Sequence, residues 1–296
     1  MSTSIQELTK QFPIPGVQFE EGVGGMTRIA VSTPISSGEL YLHGAHVTRF
    51  QPAGHEPVLW MSKSSYFAED KPIRGGVPIC FPWFGPHPSD STVPSHGLAR
   101  LCEWDVTGCG VLCDGGVSLD LKSTIFDFEL TFRVEFSDLL RMTFCVELSS
   151  NTIASRRFEE ALHTYLLVGD IHQVSISGLE HSDYLDKVGI LAKRDASRIP
   201  IRFSQETDRV YSDTTSTCTL SDKKLSRTIR VRKAGSMSTV VWNPWIEKSN
   251  RMPDFGNDEW GGMVCIETAN VGPNSIELTP GQIHTMKTEI EVQREV

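Results

Sequence analysis

Long apolar runs are missing from this chain. No stretch approaches the roughly 18 consecutive apolar residues of a membrane-spanning helix, so no such span is expected. An excess of basic residues is missing as well. The net charge is −9 and no basic stripe interrupts it, which argues against nucleic acid or an anionic membrane as partner. An anionic ligand would need a local cationic cluster working against that charge. The amino-terminal MSTSIQELTKQF has no basic segment followed by an apolar run, so no signal peptide is expected. The seven cysteines (80, 102, 109, 113, 145, 218 and 265) form no CxxC pair and are odd in number. They fit neither a disulfide framework nor a zinc ribbon. Free, mostly buried thiols in a reducing compartment, the cytoplasm, are the simplest expectation. Internal repeats, low-complexity tracts, linkers and long helical periods are also absent, so residues 1–296 are expected to form one domain. No segment advertises a subunit interface, and a monomer is expected.

What the chain does have is alternation. In STIFDFELTFRVEFSDLLRMTFCVELSS the even positions Phe126, Phe128, Leu130, Phe132, Val134 and Phe136 are apolar, whereas Asp127, Glu129, Arg133 and Glu135 lie between them. After Ser137-Asp138 the pattern resumes with Leu140, Met142, Phe144, Val146 and Leu148. A period of two over this length predicts half-buried antiparallel strands joined by a hairpin. GVSLDLKS, QVSISGL, RTIRVRK, STVVWN, GMVCIET and HTMKTEIEVQ read as further strands. The fold class is therefore all-β, a large antiparallel β-sandwich. RMPDFGNDEWGG (251–262) is the longest polar, turn-rich loop, either a rim of a site or a plain connection.

Against this regularity stands RGGVPICFPWFGP (74–86), followed by PSHGLAR (94–100). Its glycines and prolines suit neither a helix nor a central strand. Arg74 and Arg100 bracket it, and each guanidinium fork suits phosphate or carboxylate oxygens or, equally, a structural acid. Two polar residues break strand patterns elsewhere. His163 in ALHTYLLVGD shares a strand face with Tyr165, and Glu267 follows the apolar Met-Val-Cys-Ile. Buried charge needs a partner or a task. A structural hydrogen bond and a structural salt bridge are the alternatives to an acid–base pair. His43 and His46 have a permissive metal spacing, but no supporting carboxylate or cysteine accompanies them, and packing roles are expected. Cys80 and Cys265 sit in apolar surroundings and read as inert thiols.

Taken in order, KPIRGGVPICFPWFGP, PSHGLAR, LHTYLLVGDI, YLDKV, VVWNPW and MVCIETAN resemble the glucose-6-phosphate 1-epimerases (hexose-6-phosphate mutarotases) of the aldose 1-epimerase superfamily. The resemblance runs from about Gly38 to the C-terminus. It implies a galactose mutarotase-like supersandwich, with His163 as general acid and Glu267 as general base. It implies substrate binding by Arg74, His96 and Arg100, and a sugar-hydroxyl acceptor at Asp186. Ser95 stands where some members of the family carry Gln; its shorter side chain reaches less far, and a bridging water would restore the contact. Trp83 and Trp245 are candidates to stack on a sugar face, with core packing as the alternative. The implied reaction interconverts the α and β anomers of a hexose 6-phosphate. The competing readings are an epimerase of free aldoses such as galactose and a non-catalytic carbohydrate-binding protein. No metal and no organic cofactor is expected, because no electrons move and the leaving group stays attached.

Overall fold

The computed structural model describes residues 3–295. The alternating segments form the backbone of one eight-stranded antiparallel sheet. Phe128–Phe136 and Leu140–Leu148 pair with Phe136 opposite Leu140, so the chain reverses at Ser137-Asp138 as expected. Phe128, Leu130, Phe132, Val134 and Phe136 are buried in one row. Phe126 leaves that row: it takes a positive φ of 53° in the turn after Val117–Ile125 and is 68% exposed. The sheet continues through Val117–Ile125 to Asp105–Val111 on one side. On the other it runs through Ile283–Arg294, Arg227–Ala234, Cys218–Asp222 and Val174–Ser177.

A second eight-stranded antiparallel sheet covers it. Its order is Ala192–Arg194, Tyr184–Asp186, Thr207–Tyr211, Ser238–Asn243, Met263–Asn270, Glu160–Leu162 and Ile79–Cys80, with Tyr165–Leu167 pairing further along Met263–Asn270. Strands Val17–Glu21, Thr27–Ser32, Ser36–Tyr41 and His46–Pro52 form a four-stranded meander at the amino-terminal end. The main apolar core draws on all three, from Leu8 to Val292, with Phe132, Phe136, Phe144 and Trp104 among its fully buried rings. Burial of a side chain of this size contributes about 1.5–3 kcal/mol each before entropy is counted. No described helix is long and apolar enough to cross a membrane.

The parity of the second sheet decides what reaches the site. Val264, Ile266, Val241, Leu162 and Leu166 point into the main core. Cys265, Glu267, Val240 and Trp242 therefore lie on the other face, where two smaller apolar clusters assemble. A central strand buried on both faces explains why MVCIETAN reads as a continuous apolar run.

Candidate active site

Leu162 pairs with Thr268 and Tyr165 with Cys265, so the register sets His163 opposite Glu267 on the neighbouring strand. Their side chains meet, with His163 Nε2 3.4 Å from Glu267 Oε1. Both residues are buried, His163 at 7% and Glu267 at 1% exposure. Pattern breaks seen separately in the sequence are thus one cross-strand pair. The strand bearing His163 is interrupted between Glu160–Leu162 and Tyr165–Leu167, and the His163 amide donates to Pro78 O instead (3.1 Å).

The imidazole is fixed by its neighbours. It stacks on the Tyr165 ring at 4.7 Å between centroids and 12° between planes, with the Trp242 edge 6.0 Å away. The Tyr165 hydroxyl accepts from Arg74 Nη1 at 2.9 Å. Arg74 in turn forms a two-pronged pair with Asp254, from Nε (3.1 Å) and Nη2 (3.0 Å) to Oδ2. The polar loop 251–262 thus returns to this side chain, and its Asp254 holds Arg74. The glycines after Arg74 serve a different end from the close ligand approach their type suggests. Gly76 has φ +57°, and a Cβ there would lie 2.2 Å from Val47 O, so they let the chain cross neighbouring backbone.

Arg100 is a different kind of cation. It is buried at 7% exposure and donates from Nη2 to Ser95 O (2.6 Å). Its Nε has no partner among the described residues, and no described carboxylate pairs with it. Burial pulls its guanidinium below its usual value. Arg74 keeps a raised one: burial opposes its charge, but Tyr165 and Asp254 outweigh that. Ser95 is exposed and engages Arg100 through its carbonyl rather than its hydroxyl. His96 takes φ +64° and turns its ring to 5.7 Å from that of His163. Its Nδ1 accepts from the Gly85 amide at 3.3 Å. Burial, and then the Arg100 charge, hold His96 well below the usual imidazole value.

Asp186 is not brought to the pair. Its register row is Arg209, Val241 and Ile266, the row that faces the core, and its Oδ1 accepts from the Val188 amide at 3.1 Å. The residues of opposite parity, Asp208 and Lys187, lie on the Glu267 side. Asp208 pairs with Trp242, and Trp242 with Cys265, so all three share the outer face. The Lys187 ammonium stands 5.3 Å from the Phe84 ring centroid. Phe84, Leu185, Lys187 and Val210 line a cavity of about 700 Å³, whose walls include neither His163 nor Glu267. Sequence reasoning missed Asp208, Asp254, Lys187, Tyr165 and Trp242. The available signal for Asp208 was TDRVY, in which it shares strand parity with the buried Val210. Trp83 and Trp245 stand apart from the pair. Trp83 donates to Pro94 O (3.0 Å), and Trp245 packs on Trp260 at 4.4 Å. His43 and His46 do not form a joint site: their Nε2 atoms bond Lys71 O (2.9 Å) and Gly75 O (2.8 Å), respectively.

The electrostatics of the pair oppose charge on either member. Burial, reinforced by the Asp208 carboxylate, pushes Glu267 well above the ordinary carboxylate range. Burial, reinforced by Arg74 and Arg100, pushes His163 well below the ordinary imidazole value. Both shifts favour the uncharged forms, a neutral imidazole facing a protonated carboxyl. Opposed shifts of this kind on facing groups occur both at functional sites and in structural pairs.

Comparison with known proteins places this geometry. Residues 28–291 match the family model described as aldose 1-epimerase. A provisionally named glucose-6-phosphate 1-epimerase of Cenchrus ciliaris is 31% identical over 288 residues, covering 92% of this chain and 86% of its own. One of Escherichia coli K12, also provisionally named, is 36% identical over 245 residues, covering 81% and 82%. The crystal structure of a provisionally assigned mutarotase from Salmonella typhimurium superposes with a TM-score of 0.88 at 29% identity, over 95% of both chains. With an antiparallel supersandwich, a match across nearly its whole length and relatives of this kind, the chain is an epimerase belonging to the aldose 1-epimerase family.

Proposed function

We propose that the chain interconverts the α and β anomers of a hexose 6-phosphate, D-glucose 6-phosphate first, by acid–base opening and closure of the ring at His163 and Glu267. The observation that carries this reading is the in-register cross-strand pair, 3.4 Å apart, on a buried sheet face. Both oxygens that exchange protons are bonded to C1, so acid and base must converge on one small region. Glu267 takes the proton of the C1 hydroxyl while His163 gives one to the ring oxygen. The C1–ring-oxygen bond opens, the aldehyde turns about C1–C2, and the ring closes on the opposite face with the roles exchanged. A positioned group of this kind contributes about 10²–10⁴-fold.

The carbon skeleton orients the sugar. The ring oxygen leads on to C5 and the C6 phosphate, which fall on the His163 side, where Arg74 and Arg100 act. The C2 to C4 hydroxyls fall toward Asp208 and Lys187, which makes Asp208 a better hydroxyl acceptor than Asp186. Arg74 is already committed to Asp254 and Tyr165. Arg100 has no acid of its own among the described residues and is the natural phosphate partner, with His96 alongside. The phosphate also acts on the proton. Its charge, close to −2 at neutral pH, offsets the two arginines that disfavour imidazolium. It thereby favours transfer of the carboxyl proton from Glu267 to His163, the working arrangement.

Anomer exchange followed by NMR, with glucose 6-phosphate, mannose 6-phosphate, glucose and galactose in parallel, tests the reading. Acceleration of the phosphorylated sugars well above the free ones is expected. Equal acceleration removes the phosphate assignment and leaves the epimerase.

A further inference from the structure

Cys265 stands two residues before Glu267 on the same face of its strand, buried beneath the pair. The mechanism above gives its thiol no task. The ligand atoms of His163, Cys265 and Glu267 all lie within 4.8 Å of one another. A nitrogen, a sulfur and a carboxylate oxygen form a donor set suited to zinc or cadmium and ill suited to magnesium or calcium. The 3.4 Å separation of His163 Nε2 and Glu267 Oε1 matches one edge of a tetrahedron built on bonds of about 2.0–2.1 Å. Glu267 Oε2 is buried and takes no hydrogen bond among the described residues, so the carboxylate is free to turn toward a cation.

We propose that His163, Cys265 and Glu267 form an inhibitory site for a thiophilic divalent cation, zinc above all, which excludes the sugar by occupying its acid and base. The ion displaces to solvent the thiol proton and the proton carried by the Glu267 carboxyl, and thiolate plus carboxylate neutralise its two charges. That balance suits a site already crossed by Arg74 and Arg100. Three protein ligands leave a fourth position for water, the pattern of an accessible rather than a closed structural zinc site. The metal is a competitor here and takes no part in anomerisation.

The inference rests on the acid–base reading for its rate measurement only; the binding measurement is independent of activity. Full-length protein is titrated with cadmium chloride, following the thiolate-to-cadmium charge-transfer band, and with zinc chloride, following anomer exchange. Cys265→Ala and Cys265→Ser are treated in parallel, each rate referred to that variant's own metal-free rate. One equivalent of the cadmium band is expected to vanish in both variants and in His163→Ala. Loss of an outer partner of a metal site typically costs about 10–100-fold in affinity, so loss of this direct ligand is expected to weaken zinc inhibition by at least about tenfold. Inhibition in the wild type should be competitive with the sugar phosphate and reversed by a chelator. Undiminished zinc inhibition in both Cys265 variants, an unchanged cadmium band, or no inhibition of the wild type would overturn the proposal. If the band behaves as expected while the protein anomerises no sugar, the metal site stands and the acid–base reading fails.

Discussion

Glu267 and His163 each look costly in isolation, as a carboxyl and an imidazole with little access to water. Facing one another 3.4 Å apart, they are the acid and base of the proposed reaction. Replacing His163 with Ala, or Glu267 with Gln, is expected to lower the rate of anomer exchange about 10²–10⁴-fold. Circular dichroism and thermal melting should stay close to wild type. A folded variant of either kind with full activity would dismiss the pair. Arg100 belongs to the same scale. A charge-assisted hydrogen bond contributes about 1.5–3 kcal/mol, so Arg100→Met is expected to reduce kcat/KM for glucose 6-phosphate about 10–100-fold. Activity on glucose should change much less; equal losses on both sugars would assign Arg100 to the fold instead. His163, Glu267 and both arginines were legible because each breaks a local pattern or matches a motif. Asp254 was not, because an acid in a polar loop looks solvated until the loop is seen to return to Arg74. Asp186 drew attention through its motif, yet strand parity turns its neighbour Lys187 toward the site instead.

At the scale of elements, the strands announced themselves through alternation, whereas their partners did not. One neighbour of Met263–Asn270 is Ser238–Asn243, nearby in sequence, but the other, Glu160–Leu162, lies more than a hundred residues away, and nothing local encodes that pairing. The segment 74–86 was the hardest to read. It became a two-residue edge strand, Ile79–Cys80, flanked by irregular backbone that threads between other strands. Gly97 shows what that threading requires. It takes φ +77°, and a Cβ there would lie 2.0 Å from Phe81 O. Gly97→Ala is expected to destabilise the protein by at least about 1 kcal/mol. It should also displace His96 and Arg100, so that urea unfolding and KM shift together. Unchanged stability would show that the loop has room the contact distance denies.

At the scale of the molecule, the two sheets are joined by more than apolar packing. Glu160 on one and His284 on the other form a 2.8 Å ion pair, and Asn270 Nδ2 donates to the same Glu160 oxygen at 2.7 Å. Nearby, Thr268 and Thr288 bridge the sheets at 2.9 Å. Burial works against charge on His284, but the hydrogen bond and charge of Glu160 outweigh it and raise its value. A raised folded-state value means that this stabilisation is fully present below about pH 6.5, the ordinary imidazole value, and is lost as pH rises through the higher folded one. His284→Gln should therefore lower the melting temperature more at about pH 5.5 than at about pH 9. An equal penalty at both would show that the pair contributes no pH-dependent stability.

The register that sets His163 against Glu267 also makes the sheet a measuring frame. The gap between the two side chains is set by the register that holds on either side of His163, and owes nothing to loop length. Insertions in the surrounding loops therefore leave the spacing of the proposed acid and base unchanged. A single residue added within Met263–Asn270 is another matter. It would rotate the Glu267 carboxyl from the face it shares with His163 into the hydrocarbon between the sheets, parting the two side chains in one step of the pleat.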